Sequence, residues 1–123
     1  MTVALAVGFA GVAGAVGRFV VDGAVQDRSA GAFPFGTSVV NVAGSAVLGL
    51  VTGLAWYHGL AHAPRAVVGA GFCGAFTTWS TVSWETVRLG EEGLGLQAAL
   101  HMLGGVAASL AVAGAALALT AAA

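Results

Sequence analysis

The chain has 123 residues, 59% of them hydrophobic and only 7% charged, with four arginines, no lysine and five acids for a net charge of −1. Its mean hydropathy is +0.95. Soluble domains carry about 25% charged residues, so a soluble fold is excluded in favour of an all-α integral membrane protein. No basic patch exists to hold nucleic acid. The single Cys73 excludes an intramolecular disulfide and reads as a small buried residue, and no Cys/His spacing resembles a zinc site.

Four apolar runs reach the roughly 20 residues that cross a bilayer's hydrocarbon core. They cover 3–21, 35–57, 64–89 and 96–120, within a single membrane domain, 1–123. The first is not a signal peptide, because it lacks a basic leader and its only arginine lies at its far end. An even number of spans puts both termini on one side. Arg18, Arg28 and Arg88 flank the first and third loops and Arg65 the second, a thin bias towards outside termini by the positive-inside rule.

In the first span Gly8, Gly11, Gly14 and Gly17 recur every three residues, a smooth stripe where another backbone can approach closely. Arg18 follows it, and two roles stay open: a headgroup or carbonyl tie, or a fixed positive charge drawing anions into a vestibule. Residues 22–34 read as a solvated linker, with Pro34 opening the second span. There Thr37, Asn41 and Ser45 fall at intervals of four on one face, which Gly49 and Gly53 continue as a small-residue seam. A carboxamide in lipid needs partners, so Asn41 either ties helices together or donates to a passing anion. His58, His62 and Arg65 around Pro64 read as a solvated second loop.

The third span carries the densest signal, Gly71-Phe72-Cys73-Gly74-Ala75-Phe76-Thr77-Thr78-Trp79-Ser80-Thr81. Gly69, Gly71 and Gly74 each weaken a helix by roughly 1 kcal/mol relative to alanine, which predicts a break near 71–78 whose freed backbone groups need partners. Beyond it Thr78, Thr81 and Glu85 share a helical face, with Thr77 and Ser80 adjoining. Glu85 is the one acid in any span; it is a functional carboxylate by default or an interfacial partner of Arg88. Trp79 and Trp84 suit the membrane interface. The fourth span is rich in alanine and glycine, with His101 near its start, read as an interfacial histidine rather than a proton switch, and a Gly105/Ser109 small-residue pair.

The polar inventory inside the spans is mostly neutral donors: the hydroxyls of Thr37, Thr77, Thr78, Ser80, Thr81 and Ser109, and the amide of Asn41. With no nucleophile–base pair, metal cluster or phosphate loop, an enzyme is not expected. Neutral donors can replace an anion's hydration shell without trapping it, and aromatic edges assist. Carbonyls freed at a helix break suit the opposite task, holding a cation.

Asn41 within Gly36-Thr37-Ser38-Val39-Val40-Asn41-Val42-Ala43-Gly44-Ser45, the third-span sequence quoted above with Glu85, and Gly14-Ala15-Val16-Gly17-Arg18 resemble the Fluc/CrcB fluoride-channel family, in order through all four spans. The resemblance implies passive fluoride export across the cell membrane by an antiparallel dimer, with two pores and a central structural sodium ion. It implies sodium held by the carbonyls of Gly74 and Thr77 from both subunits. It also implies a fluoride path along Asn41, Trp79, Ser80, Thr81 and Glu85, with Thr37 and Ser109 contributing. The chain departs from the family pattern at Trp79 and Val82, where phenylalanines typically bracket the Ser80-Thr81 pair, at Gly105 in place of a serine, and at His101 in place of a tyrosine. The missing aromatic points to one half of a heterodimer whose homologous subunit supplies the ring, with a homodimer as the alternative. A small multidrug exporter is the rival of the same size, but it needs a mid-span carboxylate in its first helix, where this chain holds only Arg18. A purely structural membrane subunit is the other alternative.

Overall fold

The computed structural model describes residues 1–123, built entirely from helices and short connections. Helix α1 spans Thr2–Gln26 and α2 spans Phe35–Tyr57. The last hydrophobic run comprises α6 (Gly95–Ala99), a π-helical turn at Leu100–Gly104 and α7 (Gly105–Ala122). These three helical runs are each long and apolar enough to cross a membrane.

The remaining hydrophobic run is divided. Helix α3 (His62–Arg65) passes into a π-helical segment, Ala66–Cys73, and then into α4 (Gly74–Phe76). At Thr77 the backbone turns extended, with φ −76° and ψ 158°, and α5 resumes over Ser80–Glu91. The interruption therefore lies at Thr77–Trp79, at the trailing edge of the predicted window. The glycines predicted to cause it stay helical.

Close packing explains why. Helix α1 packs along Ala66–Cys73 and α4. A Cβ on Gly14 would run into the Phe72 carbonyl oxygen and lie 3.1 Å from the Phe76 nitrogen. One on Gly71 would sit 2.8 Å from the Val7 carbonyl oxygen and 3.0 Å from Ala10 Cβ. The van der Waals attraction between two backbones this close outweighs the helix propensity lost. The stripe works over Gly11–Gly17 only, since Gly8 meets nothing within 4 Å. The second seam joins α2 to α7, where Gly49 lies against the Ala113 carbonyl and Gly53 against Thr120.

The first loop is more than a solvated linker. Gln26 donates to the Phe33 carbonyl and accepts the Gly36 N–H, both at 3.3 Å, while Arg88 donates to the Ala32 carbonyl at 3.4 Å. Helix α5 ends where Gly93 takes φ +78° and the Leu94 N–H reaches back to the Leu89 carbonyl at 2.8 Å, a glycine-terminated helix stop. Only 17 of the 123 residues are buried, so most apolar side chains, among them Phe9, Phe19, Leu103 and Leu110, face outward, as contact with lipid or a second protein requires.

Candidate functional site

One side chain holds the break. Asn41, midway along α2, accepts the Thr78 N–H at Oδ1 (2.7 Å) and donates from Nδ2 to the Thr78 carbonyl (2.9 Å). Both backbone groups of a residue outside any helix are thereby satisfied, as a non-aqueous setting demands. One Nδ2–H of Asn41 remains beyond this pair.

Thr78 also braces the start of α5. Its Oγ1 accepts the Thr81 N–H at 3.2 Å, satisfying one of the free N–H groups of the helix's first turn. It also donates to Thr81 Oγ1 at 2.9 Å, with Ser80 Oγ 3.4 Å away. Three hydroxyls and an amide thus gather at the helix start.

Asn41 and Thr78 border a cleft of about 270 Å³ between α2, the break and α7. Ser38, Asn41 and Ser45 line one wall, Thr78 and Trp79 the break, and His101 and Ser109 the opposite side; Leu48, Val82, Val106 and Leu110 add apolar surface. Trp79 is 62% exposed, whereas Val82 is buried at 6%. Gly105 leaves the wall bare, since a Cβ there would touch nothing within 4 Å.

A second polar group adjoins the cleft. Thr37, fully buried, donates to Glu85 Oε1 at 3.1 Å. Glu85 Oε2 lies 3.2 Å from His101 Nε2, and His101 Nδ1 lies 3.3 Å from Ser38 Oγ. The Phe33 ring meets the imidazole edge-on, centroids 5.7 Å apart. Arg88, the alternative partner for Glu85, instead lies 3.7 Å from Glu92 and over the Trp84 ring. His101, expected at an interface, is 1% exposed. It sits in the π-helical turn, a distortion frequent at functional sites.

Arg18 Nη1 donates to the Thr77 carbonyl at 3.4 Å, and Thr77 Oγ1 donates to the Cys73 carbonyl at 2.9 Å. In an unbroken helix the Thr78 N–H would bond the Gly74 carbonyl; here it goes to Asn41, leaving that carbonyl free of its helical donor. No three His, Cys, Asp or Glu side chains converge on one point.

The fold thus brings Asn41, Thr78, Trp79 and Ser109 to one cleft and joins Thr37 to Glu85 beside it; Ser80 and Thr81 adjoin Thr78 but do not line the cleft. Sequence reading undervalues Ser38 and His101. The signal available is one acid and one histidine, Glu85 and His101, within otherwise largely apolar spans.

The family model described as CrcB-like protein, Camphor Resistance (CrcB) matches residues 5–117. The chain belongs to the CrcB family. It is 53% identical over 90 residues to Fluoride-specific ion channel FluC 1 of Leifsonia xyli subsp. xyli, covering 73% of this chain and 66% of that one. It is 50% identical over 115 residues to Fluoride-specific ion channel FluC 2 of Mycolicibacterium paratuberculosis, covering 87% and 90%. A third relative, Fluoride-specific ion channel FluC 1 of Streptomyces avermitilis, is 46% identical over 97 residues, covering 79% and 78%. These CrcB relatives are named as channels and not as enzymes. CrcB membership and three membrane-capable helices make this chain a multi-pass membrane protein.

Proposed function

We propose that this chain is a subunit of a passive, fluoride-selective channel that exports fluoride from the cytoplasm across the cell membrane. Hydrogen fluoride is a weak acid that enters cells neutral and dissociates in a less acidic cytoplasm, trapping the anion. A pore driven by the membrane potential releases it without metabolic coupling.

The observation that carries this reading is the Asn41–Thr78 pair, which fixes the break so that neutral donors of Thr78, Ser80 and Thr81 gather beside an open cleft. Such donors can replace a hydration shell while binding weakly enough for exit. The electropositive edge of the exposed Trp79 ring can add to them. The names of the three relatives agree. In this reading the divided run is the fourth crossing, and two antiparallel copies, identical or homologous, bury the outward apolar faces and form two pores. The carbonyls of Gly74 and Thr77 from both subunits hold a structural sodium ion. Arg18, hydrogen-bonded to one of those carbonyls, adds a fixed positive charge near the vestibule.

The test is fluoride efflux from liposomes, read with a fluoride electrode and with chloride as control. Rapid fluoride-selective efflux from the chain alone establishes a homodimeric channel. Efflux only on mixing with a homologous chain makes it half of a pair. No efflux in either case overturns the channel reading and leaves a structural subunit.

A further inference from the structure

One face of α2 carries a polar string with a single gap. Asn41, Ser45, Leu48 and Thr52 recur every three or four residues, so their side chains share that face. Leu48 is its apolar member, and it is also the one residue common to two cavities. On its Asn41 side lies the cleft already described. On its Thr52 side a larger cavity, about 550 Å³, opens between α2 and the start of the third hydrophobic run, with Thr52, His62 and Arg65 as its polar lining. Leu48 reaches across between the two: a Cβ on Gly69 of the π-helical segment would lie 3.5 Å from Leu48 Cδ1. Leu48 stands nine residues before the end of α2 at Tyr57, about 14 Å along the axis. That is near mid-membrane, given a hydrocarbon core about 30 Å thick.

The second cavity offers what a small anion needs. Arg18, Arg28 and Arg88 each donate to a backbone carbonyl, whereas the exposed Arg65 guanidinium has no partner in the chain. It is the only permanent charge lining the cavity. Hydroxyls in these helices are mostly spent on the carbonyl one turn back, as at Ser38, Thr77, Ser83 and Thr86. Those of Ser45 and Thr52, on either side of Leu48, make no such bond and are free to donate. We infer that the Arg65 cavity is an antechamber joined to the Asn41 cleft, and that Leu48 is the apolar partition a small anion passes between them. An unpaired cation in a low-dielectric cavity raises the local anion concentration. A hydrophobic constriction at the end of that cavity limits flux by excluding water.

The effect on transport rests on the fluoride-channel reading, whereas the wet cavity rests on geometry alone, so each has its own test. In liposomes of neutral lipid at low ionic strength, Arg65→Gln is expected to lower fluoride efflux about tenfold through lost electrostatic focusing. Arg65→Lys should restore it. An impermeant salt at about 1 M, where the Debye length is about 3 Å, should shrink the difference to less than about twofold. Leu48→Ala is expected to raise efflux about threefold, and Leu48→Trp to lower it at least about tenfold. Unaltered efflux in Arg65→Gln overturns the antechamber. So does a change seen only in vesicles of anionic lipid, which assigns Arg65 to a lipid headgroup. Either Leu48→Ala without gain or Leu48→Trp without loss overturns the partition. If the wild type carries no fluoride, the channel reading fails separately, and thiol labelling still decides the cavity. With Cys73→Ala as background, Thr52→Cys should react with a charged, water-soluble thiol reagent supplied on both sides of the membrane. Val16→Cys, on the outward face of α1, should not. Equal labelling of the two, or none at Thr52→Cys, overturns a water-filled antechamber.

Discussion

Asn41 and Thr78, 37 residues apart, exchange two hydrogen bonds that replace the helical ladder at the one point where the third hydrophobic run leaves it. A carboxamide matches a peptide unit in both donor and acceptor, so a single side chain satisfies what the break would orphan. Asn41→Asp keeps the shape but turns a donor into an acceptor against the Thr78 carbonyl. It is expected to cost about 1–3 kcal/mol through unsatisfied buried groups and to lower fluoride efflux at least about tenfold. Thermal unfolding in detergent and the liposome assay check the two effects.

The glycine stripe of α1 gives an internal control. Gly14→Ala places a methyl against the Phe72 carbonyl and the Phe76 nitrogen, so it should destabilise by about 1–3 kcal/mol. Gly8→Ala meets nothing within 4 Å and should leave stability unchanged or raise it by up to about 1 kcal/mol. Equal melting temperatures for the two variants would mean that the close approach of α1 to Ala66–Cys73 carries no energy.

Val82 and Trp79 flank the Ser80-Thr81 pair but live in different surroundings. Val82 is buried within the chain and Trp79 is 62% exposed. Val82→Phe therefore overpacks the interior and should cost about 1–3 kcal/mol, seen as a lower melting temperature. Trp79→Ala should shift stability by no more than about 0.5 kcal/mol while reducing efflux, and Trp79→Phe should retain it. An efflux gain without destabilisation in Val82→Phe would show that the missing ring had room after all.

Sodium removal tests the carbonyl site. Exchange of sodium for a large organic cation should lower the melting temperature and shift the assembly towards monomer on size exclusion, with recovery on adding sodium back. An assembly indifferent to sodium would leave the Gly74 and Thr77 carbonyls without that role.

Much of the site is legible in the sequence because it consists of polar residues in an apolar chain, where each one stands out. Asn41, Thr78, Thr81 and Glu85 all do so, and the fold brings the first three together. Glycine weighed by helix propensity places the break too early, because its small volume governs packing between α1 and the π-helical segment. Sequence alone assigns His101 to an interface because its partners, Ser38 and Glu85, come from two other helices.

Composition and hydropathy alone determined a membrane-borne, all-helical chain, since 7% charged residues cannot cover a soluble surface. The spacing of glycines and hydroxyls determined which faces pack and which carry polar groups, because helical periodicity is local. Only the tertiary structure decided that Asn41 closes the break at Thr78, that Arg88 leaves Glu85 to His101, and that Val82 turns inward while Trp79 turns out. Those outcomes depend on which backbones approach closely enough to touch, and that is settled between helices and not along one.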